Sequence, residues 1–293
     1  MDAIRKDSKL DAAAGWYAHL QLRFEKQLEK TVVRDVAHRG PLRIQRPFYP
    51  EQGGAAHVYL LHPPGGVAGG DHLQVEMHAG GGAQVVCTAP AATKLYRSAG
   101  ADCQVRQDIR VGKGCTFEWL PQETIVFSGA RAQLRTVVSL EQGAEFCGWE
   151  ILALGRAAAG ESFERGKVSQ LVEVERAGCP LYSDRLTISG TLEEEASCLG
   201  EPWGLAGRSV VASMLLATDR PEVVEAVSAA LVSSRSARSP SLRIASSALR
   251  GITVIRCLAD SVAQCWQQFV RIWEQVRPLW IGRPPSRPRI WSY

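Results

Sequence analysis

The sequence predicts a β-dominated chain with two helices near its C-terminal end. Three observations predict it: apolar and polar residues alternate with period two from Ala56 to Ile188, glycines interrupt that alternation at short intervals, and helical spacing takes over after Gly204. Short strands at this cadence build a sandwich, a barrel or a solenoid. No strand–helix alternation interrupts them, which disfavours a doubly wound nucleotide-binding sheet. No strict repeat of fixed period is present either, so a solenoid would have to be irregular.

In His72–His78, Leu73, Val75 and Met77 face one way while His72, Gln74, Glu76 and His78 face the other, the pattern of a half-buried strand. Asp102–Val111 repeats it, with Cys103, Val105, Ile109 and Val111 on the apolar side, and Leu134–Leu140 is a further strand. Glycines at 80 to 82, 112, 114, 143, 166 and 178 mark the turns between such runs. Asp219, Pro221 and Glu222 begin a helix carrying Val223, Val224, Val227, Ala230 and Leu231 at helical spacing. Val232–Arg243 is rich in Ser and Arg and reads as an exposed loop, and Ile252–Leu258 as a strand. Ser261–Val276 is a second helix, whose apolar stripe includes Cys265, Trp266, Phe269, Ile272 and Trp273, with Pro278 ending it. The tail from Arg277 is too rich in proline for regular structure, yet its aromatic residues are costly to leave in water, so it packs across the body or a partner.

Composition narrows the function. With 45% hydrophobic and 22% charged residues the chain is globular. A formal charge of +4, concentrated only at Arg277, Arg283, Arg287 and Arg289, is weak for a nucleic-acid binder. The first ten residues, MDAIRKDSKL, carry charge and lead into no apolar segment, so no secretory signal is expected. The longest apolar run, Val210–Ala217, is too short to span a bilayer. Eight cysteines without a Cys-x-x-Cys pair read as reduced core thiols, and the expected location is the cytoplasm.

Chemistry-bearing residues give several openings. The segment HPPGGVAGGD (62 to 71) is rich enough in glycine to cradle a phosphate, but neither it nor Gly112-Lys113-Gly114 has the spacing of a P-loop. Its glycines serve equally as tight turns that set Asp71 at the start of the next strand. All six histidines fall at or before His78, and imidazole ligates nickel, zinc or copper, although a solvated strand face explains them as well. Asp71, Glu118, Glu123, Glu150, Glu161 and Asp184 are the carboxylates available for acid–base work, with no motif selecting a nucleophile. A polysaccharide hydrolase or lyase would need two of them, such as Asp71 and Asp184, about 5 to 10 Å apart. Glu150 stands out because it lies in the apolar run Trp149–Leu154, where an ionised carboxylate is expensive without a partner, unless that position faces outward.

Seven segments taken together, RGPLRIQRPFYPE (39 to 51), HPPGGVAGGD (62 to 71), TAPAATKLYRS (88 to 98), WLPQETIVFSGA (119 to 130), GWEILALGRAAAGESF (148 to 163), PLYSDRLTISG (180 to 190) and PRIW (288 to 291), resemble the urease accessory protein family UreD, called UreH in some organisms. The resemblance implies a single domain over residues 1–293: an irregular right-handed β-helical body from about 20 to 217, and a helix-containing part from about 218 to 293. It implies a role without turnover or a tightly bound cofactor, in which the protein binds apo-urease and the helical accessory protein UreF. UreF recruits the nickel-carrying GTPase UreG, so GTP hydrolysis belongs to a partner. A polar internal passage for transient nickel is proposed in the family, and the matching positions here are Asp71, Thr93, Glu150 and Asp184. Partner contacts are expected on Trp266, Phe269 and Trp273 of the second helix, unless that stripe docks on the β body instead, and on Arg287 and Arg289 of the tail.

Overall fold

A computed structural model of the chain describes residues 15–192, 198–235 and 240–291. It begins with strands β1 (Tyr17–Gln27), β2 (Lys30–Arg39), β3 (Arg43–Ile44), β4 (Ala56–Leu61), β5 (His72–Gly80), β6 (Gln84–Thr88) and β7 (Thr93–Leu95). β8 (Cys103–Val111), β9 (Thr116–Trp119), β10 (Thr124–Val126), β11 (Arg131–Leu140), β12 (Glu145–Leu154), β13 (Lys167–Arg176) and β14 (Cys179–Ser189) follow. After β15 (Val210–Ala217) come helix α1 (Pro221–Arg235), the hairpin β16 (Leu242–Leu249) and β17 (Ile252–Ala259), and helix α2 (Val262–Ile281). Strands make up about 50% of the described residues against 14% helix, wound as a β-solenoid of about four turns.

The winding follows from how strands alternate between two sheets. β5, β8, β11 and β13 run parallel in a seven-stranded sheet of order β14-β13-β11-β8-β5-β1-β2. The strands between them, β4, β6, β9 and β12, run parallel in a ten-stranded sheet whose main path is β16-β17-β15-β12-β9-β6-β4-β3. At one edge the chain crosses from the first sheet to the second through stacked turns. In them Ala83, Cys115 and Ala144 each donate an N–H to the carbonyl three residues earlier. Gly82, Gly114 and Gly143 take φ of +76°, +71° and +76° there, a conformation that a side chain would strain.

Two apolar layers hold the body together. Leu73, Val75 and Met77 of β5 meet Phe117, Phe146 and Leu152 of the second sheet in the layer between the sheets. A second layer forms where the outer face of that sheet, with Trp149, Met214 and Cys257, is covered by Val223 and Val227 of α1 and Phe269 and Trp273 of α2. The first sheet keeps its outer face polar, so its strands alternate cleanly. β12 and β15 are buried on both faces and therefore read as nearly continuous apolar runs.

Three local readings are corrected. Pro278 does not end α2, which continues to Ile281 and stops at Gly282 in the left-handed conformation. The last turn is held by tertiary contacts: Trp280 is buried and its Nε1 donates to Glu145 Oε2 at 2.6 Å, while Pro278 faces outward. The loop expected at Val232–Arg243 is shorter, because α1 runs to Arg235 and β16 starts at Leu242, with 236–239 outside the described residues. The cluster of late arginines is not a surface patch as a whole. Arg277 is fully buried between Glu118 (Nη2 to Oε1, 3.0 Å) and Glu51 (2.7 Å), and its Nη1 donates to the Pro284 carbonyl at 2.8 Å.

The tail packs on the body: Trp291 is buried among Trp149, Trp266 and Trp273. Among the described residues, no helix is long and apolar enough to cross a membrane.

Candidate functional site

A polar seam crosses the apolar layer between the sheets. In a half-buried strand every second residue points inward, and at one level of the solenoid these inward positions are polar. On β8 the residue between Val105 and Ile109 is Gln107, and on β11 the residue between Leu134 and Val138 is Thr136, its direct cross-strand neighbour. Gln170 on β13 and Asp184 on β14 continue the line beside Val172. Facing them on the second sheet, Glu150, Ser213 and Arg256 are direct neighbours across β12, β15 and β17.

Glu150 is the centre of this seam. One carboxylate oxygen meets the Thr136 hydroxyl and the other the Gln170 amide nitrogen, and Thr136 Oγ1 also lies 3.1 Å from Gln107 Oε1. Burial pushes the Glu150 carboxyl above the ordinary carboxylate range, against the two hydrogen bonds that favour its charged form. Glu150 keeps some accessible surface and borders two cavities. A cavity of about 20 Å³, room for about one water molecule, lies beside it and is lined by Glu150, Thr136, Gln170, Tyr182, Asp184 and Ser213.

Two larger spaces continue from there. Glu150 and Trp119 also line a cavity of about 410 Å³ that takes in Thr93, Gln107, Gln122 and His62. His62 and Leu73 are shared in turn with a cavity of about 420 Å³ that includes Asp71 and Tyr96. The four carboxylate and hydroxyl positions taken from the family resemblance therefore lie along one series of adjoining cavities. His62, Gln107, Thr136, Gln170 and Ser213 also line that series. Burial lowers the pKa of His62, and the nearby Asp71 charge opposes the shift, so the imidazole is neutral at physiological pH with a nitrogen lone pair available.

Asp71 is already engaged. Its Oδ1 accepts the Trp16 N–H and its Oδ2 the Ala68 N–H, both at 2.8 Å, which closes the glycine-rich turn before β5. The glycines of that turn admit neighbours rather than a phosphate: a Cβ at Gly66 would sit 2.3 Å from the Tyr96 ring, and one at Gly69 2.3 Å from Ser98 Oγ. Asp184 is ion-paired with Arg256 at 2.8 Å.

The positions of Asp71 and Asp184 speak against hydrolysis by that pair. Asp184 lies on β14 and Asp71 at the head of β5, four strand spacings away in the first sheet, or about 19 Å. That exceeds the reach of a glycosidase pair. Of the other carboxylates, Glu118 is buried against Arg277 and Trp273, and Glu161 pairs with Arg156.

The histidines do not gather. His57 is buried and bonded to Glu51 (2.6 Å), His19 pairs with Glu76 (3.0 Å), and His72 and His78 stand on the exposed face of β5. Among the described residues, no three His, Cys, Asp or Glu side chains are grouped to hold a metal ion. The cavities therefore hold no such three-residue group.

The expected partner stripe is also corrected. Phe269 and Trp273 have no exposed surface and Trp266 is half-buried, because the stripe covers the outer face of the second sheet. Arg287, in an ion pair with Glu274 at 2.5 Å, and Arg289 remain on the surface.

Comparison with known proteins gives a consistent picture. The profile of the family described as UreD urease accessory protein matches residues 17–292. The chain is 41% identical over 288 residues to a urease accessory protein UreD of Dechloromonas aromatica, covering 97% of each chain. It is 40% identical to a urease accessory protein UreD 2 of Brucella anthropi, covering 96% of this chain and 99% of the relative. To a urease accessory protein UreD of Pseudomonas putida it is 38% identical, over 95% of both.

Proposed function

We propose, for a chain that belongs to the UreD urease accessory protein family, a non-catalytic scaffold role in urease maturation, in which nickel travels to the urease site along the cavities between its two sheets. It binds apo-urease and a UreF-type protein, and through UreF a UreG-type GTPase that performs the nucleotide hydrolysis, all in the cytoplasm. Nickel is cargo here, and no tightly bound cofactor is needed.

The observation that carries this reading is the polar seam around Glu150 inside an otherwise apolar layer. Buried polar groups at inward positions cost stability unless they are hydrogen-bonded, and here they bond one another and adjoin cavities on both sides. Single oxygen donors spaced along a path give a borderline dication successive weak sites, so that it moves on rather than being trapped. At Glu150 the space narrows to about 20 Å³. A hydrated ion must exchange waters there for the oxygens of Glu150, Thr136 and Asp184. Arg287 and Arg289 are the exposed tail groups offered to partners.

The test is co-expression of urease with its accessory proteins and either the wild-type chain or Glu150→Gln, which keeps volume and hydrogen bonding but removes the charge. The expected result is a soluble variant that still co-purifies with the UreF-type protein while urease nickel content and activity fall at least about tenfold. Full activation by Glu150→Gln would overturn the reading.

A further inference from the structure

The seam meets solvent between β14, at the edge of the first sheet, and β17, one strand in from the edge of the second. An arginine stands at an inward position there. Its neighbours on the same face of β17 are Val254 and Leu258, both part of the inter-sheet layer, so the alternation calls for an apolar residue where Arg256 is found. Its guanidinium reaches across to the other sheet, with Nη2 2.8 Å from Asp184 Oδ2 and donating to the Tyr182 phenol oxygen at 3.0 Å. Asp184 and Tyr182 both line the narrow cavity beside Glu150.

Two consequences follow for a dication at this end. The carboxylate it would use is already occupied by a charge-assisted hydrogen bond, and the guanidinium charge repels it. Arg256 is not locked in place, however: its side chain is 56% exposed and that of Asp184 28%, so water can take over its hydrogen bonds as it swings outward. Few residues combine these traits. Both contacts issue from the one nitrogen Nη2, so a lysine at this position would keep the charge that excludes a cation.

We propose that Arg256 is the gate of the cavity series: with its guanidinium on Asp184 and Tyr182 the end beside Glu150 is closed to divalent cations, and its outward swing opens it and frees Asp184 as a ligand. Arg256 acts through Asp184, so it is a positioning residue rather than a ligand. The proposal rests on reading the cavities as a cation path, and its test is separate from the urease readout.

The full-length chain and its variants Arg256→Gln, Arg256→Lys and Arg256→Gln/Asp184→Asn are titrated with nickel ion alone by equilibrium dialysis. Thermal unfolding alongside shows that each is folded. Arg256→Gln is expected to gain a nickel site roughly tenfold tighter than any in the wild type, a gain that Arg256→Lys lacks and that the added Asp184→Asn abolishes. Unchanged nickel binding in folded Arg256→Gln, or a gain that survives Asp184→Asn, overturns the gate. If Arg256→Gln gains the Asp184-dependent site while Glu150→Gln still activates urease, the latch stands and the path reading falls. If Glu150→Gln fails to activate while nickel binding to Arg256→Gln is unchanged, the path stands and the gate falls.

Discussion

Substituting Arg277 by methionine tests whether the second helix is tied to the body by charge as well as by apolar packing. Arg277 Nε lies 3.2 Å from both oxygens of Glu118, and its Nη2 lies 3.0 Å from Glu118 and 2.7 Å from Glu51. Without the guanidinium, Glu51 keeps its hydrogen bond to His57, 2.6 Å away. Glu118 keeps only the Trp273 indole N–H, at 2.5 Å. One buried carboxylate is left without a counter-charge, and breaking a buried pair in this way costs about 3–5 kcal/mol.

Urea unfolding followed by the fluorescence of the tryptophan cluster reads that cost. Adding Glu118→Gln removes the stranded charge and should recover about 1–3 kcal/mol. A loss below about 1 kcal/mol, or no rescue by Glu118→Gln, would refute the account.

Asp71→Ala removes the acceptor for two backbone N–H groups and should cost about 1–3 kcal/mol in urea unfolding. Asp71→Asn should recover part of it, so a loss of urease activation at this position has to be read against stability. Burial raises the folded pKa of Glu150 above its unfolded value, so the stability tied to that group is present below the unfolded pKa and lost as pH rises through the folded one. Glu150→Gln should therefore unfold at the same urea concentration as wild type near pH 4 and at a higher one near pH 8, and the reverse order would count against a buried, proton-favouring site. Cys179 is the exposed thiol and Cys198 is partly exposed, whereas burial pushes Cys103 up to about 11 and raises Cys87 and Cys147 further. A thiol reagent at neutral pH should label Cys179 first and reach the six buried thiols only on unfolding, and a third thiol reacting in the folded chain contradicts this packing.

The fold was legible where one face of a strand meets water. Leu73, Val75 and Met77 alternate with polar residues because the outer face of the first sheet is solvated, so β5 could be read directly. β12 and β15 carry no such contrast, since helices cover their second face, and their direction of burial could not be assigned from the sequence. β16 was missed because LRIASSAL is short on strand formers and is held mainly by pairing along β17. Arg277 was grouped with Arg283, Arg287 and Arg289 because a buried cation is recognised only by carboxylates far away in the chain, at Glu51 and Glu118.

The site was partly legible. Asp71, Thr93, Glu150 and Asp184 came from family motifs, whereas Gln107 and Thr136 could have been found by parity alone, as polar residues at inward positions of β8 and β11. No parity argument reaches the pairing of Asp184 with Arg256. It joins strands of different sheets, and the register between sheets is set by the winding, not by any local pattern.

The hydrogen bonds at the centre of the seam oppose burial. Thr136 and Gln170 each donate to a carboxylate oxygen of Glu150 and favour its charged form, while burial favours the proton and prevails. Thr136 also lies 3.1 Å from Gln107 Oε1, so its one hydroxyl proton has two acceptors in reach. With Glu150 protonated, its O–H can donate to Thr136, Thr136 to Gln107, and Gln170 still donates to the second carboxyl oxygen. On the proposed reading, a dication arriving beside Glu150 favours the carboxylate, so its entry is coupled to the departure of a proton. The pH dependence of Glu150→Gln then measures how that point is built.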